Sequence, residues 1–126
     1  MVPQPVADWL EQACPAVLGT ISPEGKPHLF VVWAKAAESE ILMSTTRGRP
    51  KPTNLEANPV ATFLIQSPTD PYDYVQLRGS VTFTVEHETE LIGELCLRYR
   101  GTPWTEPPDL GERVIVHLGN LEVVGR

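Results

Sequence analysis

Apolar and polar positions alternate along most of this chain, and the breaks in that alternation mark its helices and turns. Val6, Trp9, Leu10 and Ala13 recur at helical spacing and predict a helix over 5–13, stopped by Pro15. "AVLGTIS" (16–22) predicts a strand, and "PEGK" (23–26) a turn with proline early and glycine late. "PHLFVVWAK" (27–35) predicts a second strand, apolar on both faces at its centre, and "EILMSTT" (40–46) a third. "TNLEAN" (53–58) has room for little more than one helical turn before Pro59. "PVATFLIQ" (59–66) reads as another strand and "SPTDPYD" (67–73) as a loop. Over 74–86, Val75, Leu77, Gly79, Val81, Phe83 and Val85 fall on one face, and Gly79 predicts a bulge or sharp bend there. "ETELIGELCLRYR" (88–100) is the strongest helix, with Leu91, Ile92, Leu95, Cys96 and Tyr99 along one side. A proline-rich loop (101–111) leads to a last strand, 112–125, bent at Gly119.

Six short strands with short helices predict a mainly β protein, a small antiparallel barrel formed as a single domain over 1–126. Side chains fill the interior of a barrel this small. A large ligand is therefore expected outside it, in a groove made with a second copy of the chain.

Composition narrows the function classes. The chain has 126 residues, 41% of them apolar, and a formal net charge of −6. Its apolar runs are too short to span a bilayer. The negative balance argues against nucleic acid and anionic membranes as partners. No basic and apolar leader opens the sequence, and Cys14 and Cys96 lie outside any CxxC pattern, so a cytoplasmic protein with free thiols is expected. His28, His87 and His117 show no metal-ligand spacing, and no metal site is expected.

One segment runs against the overall charge. In "STTRGRPKPTNLEANP" (44–59), three of the ten cations, Arg47, Arg49 and Lys51, occupy alternate positions within five residues. The loop follows a strand and precedes a helical turn, where unpaired backbone N–H groups favour an anion. Arginine adds a planar fork suited to phosphate. Pro50 and Pro52 stiffen the backbone between the cations, and Ser44, Thr45 and Thr46 set hydroxyls beside it. The segment predicts a site for one phosphate or a small phosphorylated ligand. It is not a P-loop, because GxxxxGK[ST] is absent.

The stretch "VVWAK…EILMSTTRGRPKPTNLEANPVATFLI" resembles the pyridoxamine 5′-phosphate oxidase-like split-barrel family, whose members bind flavin or deazaflavin. The resemblance covers about residues 16–126. Its most specific part runs from Trp33 to Pro59 and includes R-x-K-x-x-N-L, here Arg49 to Leu55 with Asn54 inside it. It implies a six-stranded split β-barrel of the FMN-binding type, a homodimer with cofactor sites at the interface. It also implies that Arg49 and Lys51 hold the cofactor phosphate, flanked by Ser44, Thr45, Thr46 and Pro50. The strand from His28 through Val32 to Trp33 would lie against the ring system, and Tyr72 and Tyr74 would approach the cofactor. Trp104 and Arg113 match positions where a partner subunit reaches in.

Pyridoxamine-phosphate oxidases continue into a C-terminal segment for their substrate, whereas this sequence stops at Gly125-Arg126; pyridoxal phosphate synthesis is not the expected activity. The short chain resembles the branch that uses coenzyme F420. The implied activity is hydride transfer to a small unsaturated or quinone-like molecule, with FMN as the alternative cofactor and non-catalytic cofactor storage as the alternative role. No catalytic residue is identified: a lone histidine on a strand is more often structural or exposed, and only the place of His28 on the strand implied to face the ring makes it a candidate for proton transfer. Glu86, Glu88, Glu90 and Glu94 read as a solvated helix start and face. Trp9 is expected to anchor the first helix.

Overall fold

A computed structural model describes residues 1–108 and 111–125. Residues 109 and 110, within the predicted loop over 101–111, and 126 lie outside them.

The elements follow the order α1 (Gln4–Glu11), β1 (Ala16–Ile21), β2 (Pro27–Val32), β3 (Lys35–Ala36), β4 (Ile41–Thr46), α2 (Pro50–Ala57), β5 (Val60–Gln66), β6 (Tyr74–Val85), α3 (Glu90–Arg100) and β7 (Arg113–Gly125). The strands form one antiparallel sheet in the order β2-β1-β5-β6-β7-β4-β3. It curls into a split barrel whose unpaired edges are β2 and β3. Leu18, Met43, Phe63, Ile65, Leu77 and Leu118 are fully buried and fill its interior. Helix α1 buries Val6, Trp9 and Leu10, so Trp9 anchors it as the spacing predicts.

The sheet has seven strands, one more than expected. The predicted strand over 27–35 breaks after Val32, because Trp33 leaves the ladder to stack on Tyr99, ring centroids 5.4 Å apart. The Ala34 N–H then donates to Tyr99 Oη at 3.3 Å, and that hydroxyl donates to the Cys14 carbonyl at 2.9 Å. Pairing resumes for two residues, Lys35 opposite Leu42 and Ala36 opposite Ile41.

Helix α2 is also longer than expected and begins at Pro50. Prolines at its first and third positions cost little, since first-turn amides have no intrahelical acceptor. The predicted irregularity at Gly79 is present as a register shift between Arg78 and Ser80 against β7. A Cβ on Gly79 would stand 2.5 Å from the Gly119 carbonyl oxygen, so only glycine fits this crossing. Beyond Gly119, Asn120 takes a φ of +52° and β7 carries an extra residue against β6, which bends the strand.

Candidate functional site

Helix α2 covers the slot where the barrel fails to close. Asn54, buried on its inner side, ties it to both strands on one flank. Its Nδ2 donates to Thr20 Oγ1 on β1 at 3.0 Å and lies 3.1 Å from His28 Nδ1 on β2. An amide nitrogen only donates, so His28 Nδ1 accepts and the ring proton sits on Nε2. On the other flank Arg47, just after β4, reaches Glu56 of α2 at 2.6 Å and Glu112 at 3.1 Å. The first cation of the basic run is thus neutralised and works as a tether.

Arg49 and Lys51 have no such partners among the described residues. Arg49 caps α2 at its N-terminus in extended conformation, and its carbonyl accepts from Thr53 N and Oγ1. Lys51 is part-buried one position inside the helix, and no protein acceptor takes its ammonium hydrogens among the described residues. Burial first, and the Arg49 charge second, push its pKa down to about 8. A cation under that strain favours an anion beside it.

Backbone amides contribute less than a helix N-terminus ordinarily does. Pro50 and Pro52 carry no N–H, and the Thr53 N–H donates to the Arg49 carbonyl. Among the first three helical positions that leaves only the Lys51 amide. Any anion here is held mainly by side chains.

A cavity of about 170 Å³ opens at this slot. Val31 and Val32 of β2, Trp33, Ser44 of β4, Lys51 of α2, and Ile92 and Leu95 of α3 line it. Of the residues singled out from sequence, the fold brings Val32, Trp33, Ser44 and Lys51 to this one cavity, with Arg49 and Pro50 on the helical turn beside it. Thr46 is buried on the Ser44 side of β4, whereas Thr45 shares the opposite face with Ile41 and Met43. Trp33 stands in a stack, with Tyr99 against its ring and the Arg100 guanidinium 5.3 Å from its centroid. His28 lines a different hollow, of about 370 Å³, with Gly19, Leu29, Val60 and Arg78. Tyr72, exposed in the β5–β6 loop, and Tyr74, opposite Gln66 at the start of β6, line neither.

Two further residues shape the site. Glu86 is buried, not part of a solvated face. Its Oε1 accepts from Ser44 Oγ at 2.5 Å and its Oε2 from the Ile92 N–H at 2.8 Å. Arg113 donates to the same Ser44 oxygen at 3.1 Å and clamps Glu106 through two further nitrogens at 2.9 and 2.8 Å. Its guanidinium lies over Trp104, which pins the proline-rich loop. Glu86 lies two positions before the strongest predicted helix, a place from which a carboxylate can cap, and that was the one signal available for it. Nothing in the sequence hinted at its bond to Ser44, 42 residues away. Glu94 is likewise engaged, by Lys35 and Arg98.

Comparison with known proteins places the fold. The pyridoxamine 5′-phosphate oxidase family model matches residues 2–123. A solved F420 reductase is 28% identical over 98% of this chain and 97% of its own, with a TM-score of 0.82. A conserved hypothetical protein from Mycobacterium tuberculosis is also 28% identical, over 94% of this chain and 79% of its own, with a TM-score of 0.72. A pyridoxamine 5′-phosphate oxidase-related, FMN binding protein from Nostoc punctiforme shares the fold at 18% identity and a TM-score of 0.62, over 90% of this chain and 77% of its own. No curated protein matches the sequence.

Proposed function

The chain belongs to the pyridoxamine 5′-phosphate oxidase family, and on that premise we propose that it is an oxidoreductase that binds a deazaflavin, coenzyme F420, through Lys51 and Arg49. The observation that carries this reading is the Lys51 ammonium. It stands part-buried at the barrel slot without a protein acceptor among the described residues, beside a second unpaired cation. Two cations two residues apart at the start of α2, one of them lining a cavity with apolar walls, suit one phosphoryl group. The similarity to the F420 reductase favours a deazaflavin. FMN is the alternative, because its phosphate makes the same demand on the two cations.

When bound, such a cofactor supplies hydride transfer, here to a small unsaturated or quinone-like molecule. The chain's own residues bind and orient. Lys51 and Arg49 take the anion. Val31, Val32 and the stacked Trp33 line the cavity beside Lys51, and the partial burial of the ammonium strengthens its attraction for that anion. Asn54 and Arg47 hold α2, and with it Lys51, against the two flanks of the slot.

Size supports a shared site. Ligand pockets for molecules of this kind run to roughly 300–1,000 Å³, more than the cavity offers. The rest of the ligand then lies along the outer face of β2, where Leu29 and Val31 are 75% and 77% exposed. Ile21 and Val60 are exposed nearby, and the register places Leu29 against Gly19 and Val31 against Val17. A second copy of the chain is the proposed cover for this face, giving a homodimer whose cofactor sites are completed at the interface. No helix among the described residues is long and apolar enough to cross a membrane. The buried free thiols of Cys14 and Cys96 support a reducing, cytoplasmic setting.

A side-by-side titration of purified protein with coenzyme F420, FMN, FAD and NADPH tests the reading. Tightest binding of F420 supports it. Binding of FMN alone moves the assignment to a flavin. Binding with no turnover against a broad panel of acceptors favours storage. No binding of any of the four removes it.

A further inference from the structure

Ser44 enters the cavity beside Lys51 as a hydroxyl whose hydrogen bonds are mostly committed. A serine hydroxyl has one hydrogen to give and two lone pairs to receive. The hydrogen goes to the Glu86 carboxylate, which only accepts, at 2.5 Å, the range of a charge-assisted O–H···O⁻ bond. Arg113 Nη1, which only donates, occupies one lone pair at 3.1 Å. One lone pair remains for the cavity.

We infer that Ser44 is a specificity-determining acceptor, set in that polarity by Glu86 and Arg113, which reads an N–H or O–H donor of the bound ligand and does not donate to its phosphoryl group. This rests on the reading that Lys51 and Arg49 hold a phosphorylated ligand, and it divides their slot in two. The cationic end takes the anion. The Ser44 end repels anionic oxygen and takes a donor, such as a ring N–H or a polyol hydroxyl.

Glu86 is the positioning residue, and its isostere reverses the arrangement. In Glu86→Gln the Ile92 N–H still needs an acceptor, and only the amide oxygen supplies one. The amide nitrogen must then face Ser44 and donate to it. With both lone pairs filled, by Gln and by Arg113, the serine hydrogen turns to the cavity. The variant makes Ser44 a donor without changing the shape of the site.

The test is phosphorus NMR titration of inorganic phosphate against wild type, Ser44→Ala, Glu86→Gln, the double variant and Lys51→Ala, with melting temperatures confirming folded protein. Ser44→Ala alone should leave phosphate affinity within twofold. Glu86→Gln should tighten it about tenfold, and the double variant should lose at least a threefold share of that gain, since removal of charge alone cannot depend on Ser44. A weaker affinity in Ser44→Ala, or a gain retained in full by the double variant, overturns the inference. If Lys51→Ala loses phosphate while Glu86→Gln shows no Ser44-dependent gain, only the inference falls. If that gain is present while Lys51→Ala binds as wild type, only the assignment of Lys51 falls. Absence of phosphate binding in every protein removes both.

Discussion

Arg47 Nη1 lies 2.6 Å from Glu56 Oε1, so the first cation of the basic run is bound by the helix that carries the third, Lys51. Two cations of like appearance in the sequence therefore do different work. Arg47→Ala should weaken phosphate and F420 affinity far less than Lys51→Ala does, and lower stability by about 0.2–1 kcal/mol, the usual range for exposed ion pairs. Thermal denaturation and a ligand titration on the same protein check both.

Acidity separates Lys51 from ordinary lysines. Its pKa in the folded protein, about 8, lies below the usual 10.5, mainly through burial and then through Arg49. The charged amine therefore opposes folding below about pH 8, and that opposition lifts as pH rises from about 8 towards 10.5. An anion has the reverse preference and favours the charged form. Phosphate affinity should hold up to about pH 8 and fall about tenfold by roughly pH 9.5 as Lys51 loses its proton. Lys51→Arg should abolish that decline, because guanidinium stays charged there. A wild-type profile that stays flat to pH 9.5 counts against Lys51 as the anion's partner.

Asn54 links α2 to both β1 and β2. Asn54→Ala removes a buried donor shared by Thr20 and His28 and should cost about 1–3 kcal/mol. The loss should extend to ligand affinity, because Lys51 sits one turn away on the same helix. Chemical denaturation measures the first effect and F420 titration the second. An Asn54→Ala protein with wild-type stability would show that the tether is unimportant.

The outer face of β2 gives a prediction about assembly. Wild type should sediment as a dimer at micromolar concentration. Leu29→Glu places a charge at the centre of the exposed apolar face, opposite Gly19, and should shift the protein to monomer with little change in its own fold. A wild-type monomer would remove the second copy from the site.

Much of this was legible in the sequence because it rested on local periodicity. The alternation from Val75 to Val85 and the helical stripe from Leu91 to Tyr99 sit where they were expected. Gly79 marks a crossing that leaves no room for a side chain. What escaped was set by partners distant in the chain. Trp33 breaks its strand because Tyr99, 66 positions later, offers a ring to stack on. Glu86 looks like one of several solvated acids until β4 brings Ser44 against it. The helix starting at Pro50 was obscured because prolines read as stops, although in a first turn they cost little. For the site, the sequence drew attention to Arg49, Lys51 and Asn54, and the fold sets Lys51 on a cavity and Asn54 in the tie between α2 and the strands. Only packing showed that Arg47 is neutralised, that Thr45 shares the face of Ile41 and Met43, and that Tyr72 and Tyr74 line neither hollow.

The most direct measurement is the dissociation constant of coenzyme F420 for wild type and for Lys51→Ala, taken at pH 7 on proteins of matched melting temperature. Loss of one charge-assisted contact to a phosphoryl group is worth about 2 kcal/mol, or roughly thirtyfold, and the account predicts a weakening of that order. An unchanged constant in Lys51→Ala would contradict it, because the part-buried cation that lines the slot would then have no part in holding the ligand.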